Sequence, residues 1–228
     1  MILNNLKKDL CFILLPGFAP DNWPVQAIQE KLEAQGYKAI AANFWGTFLV
    51  DDFSKLTVEQ CRGGVTNLIQ EASQKYKYVI GIGISVGGAL LLEHAKENND
   101  LYCLVSIGTP FKLKNKFLIK LGFILYPIIN FFWKRLAKIK SWRLLPIAAA
   151  KMVVNYLEGD FLKNLEKVKT PVLFMQSKHD FITDWRAMEE YLTKLSSENK
   201  QISYFDSNNH VMEYNSDLIL KALESFMC

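Results

Sequence analysis

The feature that most constrains how this chain folds is Gly83-Ile84-Ser85-Val86-Gly87, set between two apolar runs. Tyr78-Val79-Ile80-Gly81-Ile82 before it reads as a buried parallel strand, and Gly88-Ala89-Leu90-Leu91-Leu92-Glu93-His94-Ala95 behind it reads as a helix. A G-x-S-x-G pentapeptide alone means little. Between a strand and a helix it marks a reversal too sharp for large flanking side chains, with the serine in strained geometry and its hydroxyl exposed above the sheet. The competing explanation is the glycine-rich turn of a dinucleotide fold, which requires G-x-G-x-x-G. Here Gly81-Ile82-Gly83 is followed three residues later by Val86, so that fingerprint fails. Ser85 is therefore the candidate nucleophile.

A serine nucleophile needs a base and an acid, expected downstream in the order nucleophile, acid, base. The chain has three histidines, which makes the search short. His94 falls on the helix after Ser85 and is expected to be a helix-face residue. His179 directly precedes Asp180 and leaves no room for a separate acid. His210 lies in the polar segment Asp206-Ser207-Asn208-Asn209-His210, after the strand-like run Gln201-Ile202-Ser203-Tyr204-Phe205. It is the expected general base. Asp180 follows another buried strand, Pro171-Val172-Leu173-Phe174-Met175-Gln176, and is the expected acid, with Asp184 as its rival. Loops at the carboxyl ends of parallel strands share one edge, so Ser85, Asp180 and His210 can converge there. Two backbone N–H groups are expected to bind an oxyanion. One is that of Val86, at the start of a helix whose dipole favours negative charge. The other is that of Phe18, in the loop Pro16-Gly17-Phe18-Ala19 after the strand Leu10–Leu15, with Gly17 allowing the turn.

In these segments the sequence resembles the α/β-hydrolase superfamily, particularly its compact carboxylesterases and monoacylglycerol lipases. The matching stretches are Leu14–Phe18, Gly83–Gly88, Pro171–Asp180 and Asn209-His210-Val211, which together span almost the whole chain. The resemblance implies an α/β-hydrolase fold, a mainly parallel sheet of about six strands with helices on both faces and an inserted helical cap. It implies the same roles for Ser85, Asp180, His210, Phe18 and Val86 in ester hydrolysis through an acyl-enzyme, without metal or organic cofactor. Acyltransfer, thioester hydrolysis or non-catalytic lipid binding are the alternatives on this frame. Two departures stand out. Pro16-Gly17 replaces the family's usual His-Gly, which puts a bond steadying the oxyanion loop in question. The chain also starts almost at the strand Leu10–Leu15, so the two amino-terminal strands of larger relatives are expected to be absent.

With 228 residues, half of them apolar, a single α/β domain is the natural size class. Strands are expected at 10–15, 38–44, 78–84, 101–107, 171–176 and 201–206. Helices are expected at 23–35, 57–75, 86–97, 184–196 and 215–227, and this alternation implies a parallel sheet. Thr57 and Gln60 form a capping box, and Thr183 is the expected N-cap of the helix carrying Met188 and Leu192. The four cysteines, Cys11, Cys61, Cys103 and Cys228, have no C-x-x-C spacing. That argues for a reducing compartment and against a disulfide framework or zinc site. With no secretory pattern at the amino terminus, a cytoplasmic location is expected.

Between Leu101 and Leu157 there is no acid at all, but ten basic residues. The rest of the chain carries 17 basic against 23 acidic residues, so the net charge of +4 conceals a basic insertion on an acidic body. Within the insertion, Phe117–Trp133 is almost wholly apolar. Seventeen residues give about 25 Å of helix against roughly 30 Å of hydrocarbon. Lys120 and Pro127 interrupt it, and a single crossing would split one sheet across the bilayer. Two short helices broken near Pro127, forming a cap at about 110–157, are expected instead. Phe123 and Phe131 are candidates to line a pocket for medium or long acyl chains. The basic flanks suggest peripheral contact with an anionic membrane. Basic residues interleaved with aliphatic bulk do not suit nucleic acid.

Overall fold

A computed structural model of the chain describes residues 2–17, 23–42, 55–115, 147–206 and 216–227. Six strands form one sheet among them: β1 Leu10–Leu15, β2 Lys38–Ala41, β3 Tyr78–Ile84, β4 Cys103–Ile107, β5 Val172–Ser177 and β6 Lys200–Phe205. The spatial order is β2-β1-β3-β4-β5-β6, and every pairing is parallel. Seven α-helices accompany them among the described residues: α1 Ile2–Leu6, α2 Trp23–Ala34, α3 Val58–Ser73, α4 Val86–Ala95, α5 Ile147–Glu158, α6 Ala187–Lys194 and α7 Ser216–Met227.

The four inner strands read as apolar runs because both sheet faces are covered there. All six residues of β1 are fully buried. Cys11, Ile13 and Leu15 face one core with Cys61, Val65 and Ile69 of α3 and Leu90 and Leu91 of α4. Leu10, Phe12 and Leu14 face the other, with Leu3 of α1, Ile28 and Leu32 of α2, and Ile219 and Leu223 of α7. Cys11, Cys61 and Cys103 are buried free thiols. Burial raises Cys11 to about 11 and pushes Cys61 and Cys103 up to about 12.

Most expected elements are present, some shorter at their ends. The capping box is formed: Gln60 N–H donates to Thr57 Oγ1 at 3.2 Å, and Thr57 N–H to Gln60 Oε1 at 3.0 Å. Such a cap is worth about 1 kcal/mol. Thr183 is not an N-cap. Helix α6 starts at Ala187, with Arg186 at the cap position and no side-chain cap bond. The Thr183 hydroxyl is engaged elsewhere, on Asp180. Helices α1 and α5 were not among the expected elements. Helix α5 buries Ala149, Val153, Tyr156 and Leu157 in the core shared with α3 and α4. On the other side of residues 116–146, Phe111 packs against the body. Its ring stacks on Tyr191 at 4.9 Å and meets Phe174 edge-on at 5.1 Å. Leu113 then bridges antiparallel to Thr183. The apolar run Phe117–Trp133, with Phe123 and Phe131, lies outside the described residues. No helix among the described residues is long and apolar enough to cross a membrane.

Candidate active site

Strands β1 and β3 are parallel neighbours, but the chain leaves β1 toward β2 on one side and β3 toward β4 on the other, which makes their carboxyl ends the place where a crevice opens. Ser85 stands there, immediately after β3 and before the first residue of α4. Its backbone has φ 52° and ψ −114°. Three non-glycine residues among those described have positive φ, and the other two are asparagines, which tolerate it. For a serine such geometry costs about 1–3 kcal/mol and persists only where the surroundings enforce it.

The surroundings do. Ser85 N–H donates to Ile107 O at 2.7 Å, while Ser85 O accepts from Gly88 N–H at 3.1 Å, Ala89 N–H at 3.3 Å and Thr109 Oγ1 at 3.1 Å. Thr109 is in turn bonded to Ser106 at 2.5 Å, and both hydroxyls are fully buried beneath the turn. The motif glycines are required by close approach. A methyl group on Gly83 would fall 2.5 Å from Gly87 O, and one on Gly87 would fall 2.6 Å from Pro16 O. Both obstacles are backbone and cannot swing away.

Of the two residues expected to bind an oxyanion, Val86 is among those described. Val86 opens α4, and its N–H belongs to the first-turn donors that a helix leaves without an internal acceptor. Gly17 lies beside Ser85, where a methyl group on it would sit 3.5 Å from Ser85 Cβ, an ordinary van der Waals contact. Its φ lies outside the left-handed region, so it does not serve by turning the chain. Phe18 lies outside the described residues.

Asp180 stands three residues beyond β5, on the same edge of the sheet. Strand β4 separates β5 from β3, which places the two strand ends about 10 Å apart. Ile84, Ile107 and Met175 form one rank across this edge, and β5 runs two residues further, to Ser177, before its loop leaves. The side chain is 1% exposed and richly bonded. Oδ1 accepts from Ile182 N–H at 2.7 Å and Thr183 N–H at 3.0 Å. Oδ2 accepts from Thr183 Oγ1 at 2.6 Å and Gln176 Nε2 at 2.8 Å. The ammonium of Lys114 donates to the Asp180 carbonyl oxygen. This is an environment for an ionised carboxylate, since every one of these side-chain partners is a donor. Asp184, the rival acid, instead faces Lys112 at 3.6 Å and Arg186 at 4.0 Å on the surface.

Two histidines can be placed. His94 is buried in α4, with Nε2 2.7 Å from Asp100 Oδ1 and Nδ1 3.2 Å from Thr66 Oγ1, as a helix-packing residue would be. His179 is exposed and pairs with Asp206 at 3.0 Å. His210, the expected base, lies outside the described residues. Among the described residues no group of three or more His, Cys, Asp or Glu side chains could hold a metal ion. The bonding partners Gln176 and Thr183 were missed from sequence. Gln176 carried a usable signal, a polar amide closing the apolar run Val172–Met175.

Neither a family model nor a curated protein matches the sequence. Solved structures do match it in shape. A metagenome-derived lipolytic enzyme of the LipS and LipT pair superposes with a TM-score of 0.74 at 16% identity, over 96% of this chain and 92% of its own. The monoacylglycerol lipase of Paleococcus ferrophilus gives 0.66 at 15% identity, over 95% and 94%. A soluble variant of monoglyceride lipase from Saccharomyces cerevisiae gives 0.66 at 14% identity, over 96% and 87%. The chain therefore has the α/β-hydrolase fold, with the six-stranded parallel sheet and flanking helices expected for it.

Proposed function

We propose that this protein is a serine hydrolase of carboxylic esters, acting through an acyl-enzyme on Ser85. The observation that carries the proposal is the backbone of Ser85, a non-glycine residue at φ 52° on the strand-to-helix turn beside the sheet's crevice. Strain of that kind gathers where a side chain must be presented to a ligand. The lipases among the structural neighbours supply the reaction class.

In the proposed cycle His210 takes the Ser85 proton as the hydroxyl oxygen attacks the ester carbonyl. Asp180 orients the imidazole and stabilises its charged form. The N–H groups of Val86 and Phe18 hold the tetrahedral oxyanion, and the alcohol leaves with the proton from His210. Water then repeats the attack and releases the acid, with no metal or organic cofactor taking part. Phe123 and Phe131 line the acyl pocket within a cap at about 110–157. Turnover of p-nitrophenyl esters of graded length tests this, with medium or long chains expected to give the highest kcat/KM. Replacing Phe123 or Phe131 with aspartate should depress long-chain turnover more than acetate turnover. Absence of turnover with any ester would refute the proposal.

The acid-free stretch Leu101–Leu157 favours one addition, peripheral docking on anionic lipid. Binding to phosphatidylserine vesicles should weaken steeply with salt, because each Lys or Arg contributes only about 1 kcal/mol and is screened over roughly 10 Å. Neutralising Lys134, Arg135, Lys138 and Lys140 should lower it and leave acetate-ester turnover intact. Salt-insensitive binding, or none, would remove the membrane from the account.

A further inference from the structure

Gln176 is fully buried at the end of β5, and its amide can stand in only one orientation. Nε2 faces three oxygens: Asp180 Oδ2 at 2.8 Å, Thr183 Oγ1 at 3.1 Å and Ser177 O at 3.1 Å. Turning the amide over would set Oε1 against a carboxylate oxygen and a carbonyl oxygen. In the observed orientation Oε1 is itself buried with no hydrogen-bond donor. An unsatisfied buried acceptor is unfavourable, and a methionine of similar length would avoid it. The amide is thus kept at some loss of stability, and what it gains is a donor on Asp180. Thr183 supplies the companion donor, bonding the same oxygen through its hydroxyl and the other through its N–H.

We propose that Gln176 and Thr183 are positioning residues of the relay, which fix the Asp180 carboxylate and draw on its charge, so setting the pH at which the histidine base becomes competent. The proposal rests on the Ser85–Asp180–His210 assignment above. Its physical basis is that each donor on a carboxylate disperses the negative charge which stabilises a neighbouring imidazolium. Removing one donor concentrates that charge, favours the protonated base and moves the acid limb of kcat/KM to higher pH. The carboxylate stays in place in a single variant, because two backbone N–H groups and one side-chain donor still hold it. Other charged groups near the loop are Lys114 on the Asp180 carbonyl, the Lys112–Asp184 pair and the exposed His179–Asp206 pair. None of them is altered by the substitutions below.

The test is the pH dependence of kcat/KM for p-nitrophenyl butyrate in the wild type, Gln176→Met, Thr183→Val and Thr183→Ser. Gln176→Met and Thr183→Val should each raise the midpoint of the acid limb by roughly half a pH unit and lower kcat about tenfold, with KM unchanged. Thr183→Ser, which keeps the hydroxyl, should retain the wild-type limb. An unmoved limb in both Gln176→Met and Thr183→Val would overturn the proposal, whatever happens to kcat, and leave these residues a structural role. If Gln176→Met fails to fold, the limb of Thr183→Val decides alone. A failure of the underlying assignment looks different: the wild type shows no turnover, or Ser85→Ala keeps it. Either result removes the proposal as well.

Discussion

Ser85 is held on a corner made mainly of backbone, whereas the socket of Asp180 divides its donors between backbone and side chains. At the first, an N–H to Ile107 O, two helix-terminal N–H groups and the close approach of Gly83 to Gly87 force one conformation on the chain. At the second, Thr183 and Gln176 converge on a carboxylate from positions three residues after and four before it. A backbone corner tolerates almost no substitution at its glycines but is indifferent to the chemistry around it. A side-chain socket is the reverse, tolerant in shape and dependent on donors.

The largest expected effect separates presentation from stability at the backbone corner. Ser85→Ala and Ser85→Gly should both lose ester turnover by roughly five orders of magnitude, since no other group supplies the nucleophile. Ser85→Gly should in addition unfold at higher denaturant, by about 1 kcal/mol, because glycine adopts φ 52° without strain. Equal stability of the serine and glycine forms would show that the corner stores no strain.

The socket is probed by exchanging its charge for an amide. Asp180→Asn should lower kcat by about four orders of magnitude through the wrong imidazole tautomer. It should also destabilise the fold, because a new NH₂ must face Thr183 and Gln176 or two backbone N–H groups. Asp184→Asn, on the surface beside Lys112, should change turnover by less than about twofold. If the two aspartates exchanged these outcomes, the acid would be Asp184 and the socket merely structural.

The smallest effect concerns the sheet that carries both corners. Cys11, Cys61 and Cys103 have thiol groups raised by burial to about 11, 12 and 12 from an ordinary 9.0. The unfolded chain therefore releases these protons at lower pH than the native one. Their contribution to stability is complete below about pH 9 and is lost as pH rises through 11 to 12. Denaturant midpoints should fall across that window. In the native state at neutral pH, iodoacetamide should leave all three unmodified, as peptide mapping would report. Rapid native labelling of any of the three would show that the core around β1, α3 or β4 opens.

What could be read from sequence follows the same division. The corner at Ser85 was legible because steric exclusion acts on residue type: only glycine fits at 83 and 87, and the flanking strand is apolar on both faces. The parallel sheet and its two-sided core follow from alternation of buried runs and helices, whereas the strand order does not. The socket was not legible, because Thr183 looks like a helix cap in one dimension and becomes a carboxylate donor only when its loop folds back. Helix α5 was not among the expected elements, because Ile147–Glu158 has no cap or turn signal that separates it from the apolar stretch before it. Gly17 was singled out for conformational freedom, which its φ, outside the left-handed region, does not call for.

The central claim is that Ser85 forms a covalent bond to substrate. Incubation with a fluorophosphonate, followed by intact-mass measurement and peptide mapping, tests it directly. The account predicts one adduct per chain, located on Ser85, absent from Ser85→Ala and formed in step with loss of ester turnover. An adduct on another residue, or full turnover in the labelled protein, would contradict it.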